Sequence, residues 1–489
     1  MKLPYKSVLS ALAVMLFLGM VTPIHADGSV EMDAGDDQNA DSIDYQIMVQ
    51  RATQAAIWAM PAVSVYDIEL SIQRDLDGKP GDVAYFTKPM TSRHGFLTAN
   101  DVTPYVTSGL SCKDDPLVVE VPPAGDKASF FGTFVDAWQT PIADVGPPGD
   151  DQGNGGKYLF LPPGYEGEVP DGYLVYRPKT YGVHFAFRPI AKNGGTHKDQ
   201  SDYAQTLKIY RLSQADKPPE TTFIDAYPKK WNTLPVYDMT YFTDLNTVIQ
   251  REPVLERDKV MMALLASIGI EKGKEFNPDA ETKQALLEGL ERAYASMQNY
   301  FTKPGIAMVP YWENKQWQVW KFAEGQPEAG FPYVTEDRVL IDERAGGSYF
   351  WITYLPKVLG GGTFYLTGLR DANGELMNGV DTYKLNIPAD TPAKDFWSVI
   401  VYSMKTKGFI EDVETVGLSS QAIDTMKKND DGSVDVYFAP TPPEGRASNW
   451  IPTAEDFFLL FRLYGPDKPL FEKSWTLDDV EKLEIEKTG

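Results

Sequence analysis

The chain has 489 residues, with 69 Asp and Glu against 46 Lys and Arg, a net charge of −23 and a single cysteine, Cys112. So negative a balance repels nucleic acid and anionic membrane surfaces and favours solubility and cationic or neutral partners. One thiol rules out an intramolecular disulfide, and a chain of this length builds an ample core without one.

The first 26 residues have the three parts of a secretory signal. Lys2 and Lys6 form the positive start, Val8–Val21 is apolar, and Pro23 precedes Ile24-His25-Ala26 as a cleavage site before Asp27. The apolar run is shorter than the roughly 20 residues of a spanning helix, which is the competing anchor reading. The expectation is export to the periplasm or the extracellular space, with no membrane contact after cleavage. No cysteine stands near the site to carry a lipid, and loss of the two lysines takes the charge to −25.

Residues 27–44 are acidic and almost without apolar side chains, which reads as a disordered lead-in. From Tyr45, the residues Met48, Val49, Ala52, Ala56 and Trp58-Ala59 fall at helical spacing, and Pro61 is expected to end that helix. The helix opens a first domain over 45–235. Within it Leu117–Val121, Phe130–Val135, Tyr158–Leu161, Leu174–Tyr176 and Val183–Phe187 read as short strands between Gly/Pro clusters, a sandwich or barrel pattern.

Residues 236–303 read as a helical insertion. Asn246–Gln250, Lys259–Ile268 and Thr282–Phe301 are periodic, the last with a core-facing stripe of Leu286, Leu287, Leu290, Ala293, Tyr294, Met297 and Tyr300. A second β domain follows over 304–480, with strands expected at Trp317–Phe322, Tyr349–Tyr354, Thr363–Leu366, Trp397–Tyr402, Val434–Phe438 and Phe457–Tyr464. No repeat of solenoid period and no heptad is present. The fold class read from this order is mainly β: two antiparallel sandwiches with a helical segment between them.

No Walker A sequence, strand-linked G-x-G-x-x-G or G-x-S-x-G elbow occurs. Gly360-Gly361-Gly362 reads as a tight turn. The histidines left after cleavage, His94, His184 and His197, lack metal-ligand spacing, so no metal site and no cofactor are expected. Asp150-Asp151-Gln152-Gly153-Asn154-Gly155-Gly156 resembles a calcium loop, but Leu161 stands where the bidentate Glu belongs; a glycine-rich turn is the better reading. Trp312, Trp317, Trp320, Tyr349, Phe350, Trp351 and Tyr354 are dense enough to stack on sugar rings, but filling a sandwich core is the better reading. A pair of carboxylates for glycoside chemistry cannot be picked from 69 acidic residues.

Two long segments resemble known families. Val145-Gly146-Pro147-Pro148-Gly149, then Gly155-Gly156-Lys157-Tyr158-Leu159-Phe160-Leu161-Pro162-Pro163-Gly164-Tyr165, Gly167 and Pro170-Asp171-Gly172-Tyr173 resemble the domain-of-unknown-function family 1254. Asp371-Ala372-Asn373-Gly374-Glu375-Leu376, Gly379, Tyr383, Phe396-Trp397-Ser398, Asn449-Trp450-Ile451-Pro452 and Phe461-Arg462-Leu463-Tyr464-Gly465-Pro466 resemble its partner family 1214. Ser267–Phe276 is similar to the linker of such tandem proteins, and together the likeness runs from about Ala55 to Trp475. It implies two jelly-roll-like sandwiches with a helical insertion and little chemistry. The 1254 family's N-x-x-T-x-Y pattern falls on Asn100, Thr103 and Tyr105. An Asp often precedes the Thr there; this chain has Val102, with Asp101 one place earlier, which puts a catalytic role for it in doubt.

The candidate ligand-binding residues are therefore Asn100, Thr103 and Tyr105, with Asn449, Trp450 and Arg462. Asn and Thr beside Pro104 equally make a turn, and Trp450 equally fills a core. Arg462 stands in the apolar run Phe457-Phe458-Leu459-Leu460-Phe461; facing inward, it needs a carboxylate or an anionic ligand. Three functions compete: a cofactor-independent hydrolase or lyase on a small or glycan-like substrate, a non-catalytic carbohydrate- or protein-binding envelope protein, and a structural homo-oligomer. The first requires its polar and aromatic residues to converge; the second requires an exposed aromatic strip such as Trp312, Trp317 and Trp320.

Overall fold

The computed structural model describes residues 42–321, 333–350 and 362–484. The signal segment, nearly all of the acidic lead-in, Gly360, Gly361, Trp351 and Tyr354 lie outside the described residues.

Each expected β domain is a six-stranded sheet over a four-stranded one. In the first, the six-stranded sheet runs Phe223–Asp225, Val83–Tyr85, Val106–Ser111, Gly182–Ala191, Ala128–Asp136, Pro141–Val145. Its partner runs Lys208–Arg211, Leu117–Val121, Gly156–Phe160, Leu174–Tyr176. In the second, the order is Met308–Pro310, Trp317–Trp320, Thr363–Gly368, Phe457–Pro466, Ala393–Ser403, Gly417–Ser419. The smaller sheet there is Trp450–Pro452, Val434–Ala439, Thr382–Ile387, Glu481–Leu483. Pairing is antiparallel except at a few edges, such as Val83–Tyr85 with Phe223–Asp225.

Helix Ile43–Leu76 forms the spine of a third, central core. Ser42 caps it by accepting from the Tyr45 N–H at 3.1 Å. The helix does not stop at Pro61 but runs through it. An interior proline costs about 3 kcal/mol, yet residues 55–63 are buried on every side, and packing of that extent outweighs the lost bond. The Pro61 carbonyl accepts an additional bond from Gln139 Nε2 at 2.8 Å. By length and composition this helix resembles a membrane span, but 83% of its apolar window is buried in the fold, as in a core helix.

The insertion supplies helices Met239–Arg251, Lys259–Ala266 and Ala280–Thr302. Gly289 allows the last to meet the spine, since a Cβ there would lie 2.5 Å from the Ala52 Cβ. Of the predicted stripe, Leu286, Leu290, Ala293 and Met297 are buried, whereas Leu287 is exposed and Phe301 takes a core place. Tyr349 and Phe350 belong to helix Ile341–Phe350, not to a strand. The helix is buried through Arg344–Phe350, so it shows no amphipathic stripe to separate it from a short apolar strand. Strand Trp317–Trp320 ends before the expected Phe322, which lies outside the described residues.

Alternation along Phe457–Pro466 joins two of the cores. Phe457, Leu459, Phe461 and Leu463 point into the second sandwich, while Phe458 and Leu460 point into the central core. Arg462 and Tyr464 continue that second face.

Candidate functional site

The loop before strand Val106–Ser111 is laid against the second sandwich. Thr98 stands at φ 42°, a left-handed conformation costly for a β-branched residue. Its N–H donates to the Lys407 carbonyl at 2.8 Å. Asn100 is fully buried. Its Oδ1 accepts from the Val102 N–H at 2.9 Å, closing an Asx turn, and its Nδ2 donates to Thr103 Oγ1 at 3.1 Å and to the Tyr464 hydroxyl at 2.8 Å. The Tyr402 hydroxyl donates to the Ala99 carbonyl.

Arg462 faces inward and is 2% exposed. Nη2 donates to the carbonyls of Thr98 and Ala99 at 3.0 and 3.2 Å. Nε and Nη1 are buried with no hydrogen-bond partner. The guanidinium lies 5.5 Å from the ring centres of both Tyr365 and Tyr402. Tyr365 and Ser398 are its direct cross-strand neighbours on either side. From the first sandwich, Arg188 donates to the Tyr365 hydroxyl at 3.4 Å and covers the Tyr105 ring at 5.3 Å. Among the described residues neither arginine has a carboxylate in ion-pair contact; their strongest electrostatic neighbours are tyrosines.

Asp101 brings a carboxylate that feels the charge of Arg462. Burial pushes its pKa up to about 6, against the pull of Arg462, and its Oδ1 has no partner. Tyr365 moves the other way. Burial alone would raise its phenol, but the Arg188 and Arg462 guanidiniums outweigh that and hold it below the ordinary value. The hydroxyls of Thr98 and Ser398 are also buried without partners. Asp101, Thr103, Tyr105, Arg188 and Tyr365 keep part of their surface accessible. Unpaired buried donors beside two guanidiniums can receive an anion.

Thus Asn100, Thr103, Tyr105 and Arg462 converge, although Arg462 lies more than 350 positions away in sequence. Asn449 and Trp450 do not join them. Asn449 Nδ2 binds the carbonyls of Lys427 and Asp435 at 2.9 Å each, and the Trp450 indole binds the Ala439 carbonyl at 2.8 Å. Both pin an edge of the second sandwich. Sequence reading missed Arg188, Tyr365, Ser398, Tyr402 and Tyr464. Arg188 carried a legible signal, for Phe187-Arg188 repeats the lone arginine in an apolar strand seen at Phe461-Arg462.

Other candidates are accounted for by packing. Trp312, Trp317 and Trp320 are buried at 3%, 1% and 8% exposure, so they form no surface strip. Asp150 accepts from the Tyr176 hydroxyl at 2.5 Å and Asp151 from the Gly146 N–H at 2.8 Å. Among the described residues no three His, Cys, Asp or Glu side chains gather as a metal site. A separate cleft of about 770 Å³ is lined by Asp136, Arg177, Lys179 and Arg257, among others.

The chain is thus a tandem of two sandwiches that meet at an arginine–tyrosine cluster. Residues 81–211 match the family described as "Protein of unknown function (DUF1254)", and residues 362–468 match "Protein of unknown function (DUF1214)". The two matched segments lie in tandem on this chain, and each contributes one wall of the cluster. No curated protein matches the sequence. The VPA0106 protein from Vibrio parahaemolyticus shares the fold, with a TM-score of 0.53 at 18% identity over 89% of this chain and 100% of that one. An uncharacterized protein from Burkholderia cenocepacia gives a TM-score of 0.39 at 10% identity, over 90% of this chain and 96% of that one.

Proposed function

We propose that this chain is an enzyme that binds a small or glycan-like anionic substrate between its two sandwiches and acts on it by acid–base chemistry. The observation that carries this reading is Arg462, a buried guanidinium with two nitrogens unpartnered. Burying such a charge costs several kcal/mol, and two backbone carbonyls and a carboxylate out of contact repay only part of it. An anionic ligand reaching Arg462 and Arg188 together would complete the site. Asp101, raised to about 6 by burial, and Tyr365, whose phenol the two guanidiniums hold below its ordinary value, would be the proton-transfer groups.

Thermal shift against carboxylate, phosphate and sulfate compounds tests it, because a ligand of the native state raises the melting temperature. A shift that Arg462→Met abolishes supports the reading. An equal shift in that variant, or none with any anion, overturns it. Binding without turnover would favour the non-catalytic binding protein.

We also propose that the protein is exported, on the strength of the leader over residues 1–26. Secreted material beginning at Asp27 would support this; retention of Met1 would overturn it.

A further inference from the structure

We propose that Asp101 and Tyr365 are the general base and general acid of a β-elimination on a uronate-type carboxylate substrate, an inference that rests on the anion-binding reading above. Both stand around one guanidinium: Tyr365 is the cross-strand neighbour of Arg462, and Asp101 lies on the loop whose Thr98 and Ala99 carbonyls accept from that arginine. The Asp101 Oδ1 is buried with no partner, so a lone pair is free to take a proton. The Tyr365 hydroxyl is held by Arg188 at 3.4 Å, which would stabilise the phenolate left after it gives its proton away.

The arginine pair favours elimination over hydrolysis. A C–H bond next to a carboxylate is weakly acidic because its removal piles a second negative charge on the same group. Guanidiniums hydrogen-bonded to that carboxylate offset the charge as it develops, whereas hydrolysis of a neutral ester or glycoside needs no such group. The buried, unpartnered hydroxyls of Thr98 and Ser398 suit the hydroxyl groups of a sugar acid.

In the step, Asp101 takes the proton from the carbon next to the carboxylate. The C–H electron pair becomes the new C=C bond, the C–O bond at the β carbon breaks, and the leaving oxygen takes the Tyr365 proton. Solvent then carries a proton from Asp101 back to Tyr365. No oxidant or reductant enters the balance.

The test incubates the full-length mature protein with oligogalacturonate and oligomannuronate. It follows the ultraviolet absorbance of the unsaturated product, new reducing ends, and loss of the hydrogen on the α carbon. The expected result is unsaturated product. Asp101→Asn and Tyr365→Phe should each lower kcat by about 100-fold or more, with the uronate-induced thermal shift retained as proof that fold and binding survive. Loss of Asp101 should also remove the acidic limb of the pH–rate profile, a change that a purely structural role would not produce. Reducing ends without unsaturation, or a uronate-induced thermal shift with no product, overturns elimination and leaves anion binding standing. Absence of a thermal shift with every anion overturns the underlying reading instead.

Discussion

Asn100 Nδ2 donates to the Tyr464 hydroxyl at 2.8 Å, joining residues 364 positions apart and tying the first sandwich to the second. The same amide bonds Thr103, and the Asn100 carbonyl oxygen closes the turn at Val102. One side chain thus folds the loop and docks it.

Asn100→Ala should therefore cost more than one surface hydrogen bond. It strands the Tyr464 hydroxyl and the Val102 N–H in a buried setting, a loss of about 1–3 kcal/mol. Urea unfolding measures it, and anion binding should weaken with it because Thr98 and Ala99, the carbonyl partners of Arg462, sit on the same loop.

Arg462→Met separates stability from function. Exchanging an incompletely paired buried charge for an apolar side chain of similar length is often neutral or stabilising by about 1–4 kcal/mol. The melting temperature should hold or rise while anion binding is lost. A large fall in stability would instead mark Arg462 as a structural clamp on the Thr98 and Ala99 carbonyls.

Asp101 gives a pH signature. Its folded pKa of about 6 lies above the unfolded value of 3.8, so the fold prefers the protonated acid. Its contribution to stability is fully present below pH 3.8 and is lost as pH rises to about 6. Asp101→Asn should match the wild type in acid and exceed it in stability above that window, by up to about 3 kcal/mol. Denaturation curves across pH read the difference directly.

Gly417 sets the position of Asp101. A Cβ at residue 417 would come within 2.7 Å of Asp101 Oδ2 and of Ile400 Cγ1, and 2.9 Å of the Val399 carbonyl oxygen. Gly417→Ala should destabilise by about 1–3 kcal/mol through overpacking. Because the carboxylate must shift, the variant should also change the Asp101 titration, readable by NMR.

Gly289→Ala tests the spine contact in the same way. Its new methyl would stand 2.5 Å from the Ala52 Cβ and 2.9 Å from the Val49 carbonyl oxygen, both on a helix held on all sides. A loss of about 1–3 kcal/mol is expected, with no change in anion binding, which thermal shift would confirm.

Sequence by itself determined what depends on local pattern. Alternation and Gly/Pro punctuation located Leu117–Val121 and Leu174–Tyr176 to the residue, and periodicity found the helix ending at Thr302. Asn100, Thr103, Tyr105 and Arg462 were also legible as candidates, because a turn-forming amide and an arginine in an apolar strand are locally anomalous. Tertiary structure alone decided the rest. Whether Pro61 ends a helix depends on how much burial its neighbours gain, and that is a sum over distant chain. Asn449 looked equivalent to Asn100, yet its amide is consumed by the Lys427 and Asp435 carbonyls while Asn100 reaches across the domains. Above all, Tyr365 meets Arg462 across neighbouring strands of one sheet, but Arg188 and the Asp101 loop reach that pair only when the two sandwiches are brought together. Strand period says which residues share a face, but not which face of another sheet will lie opposite.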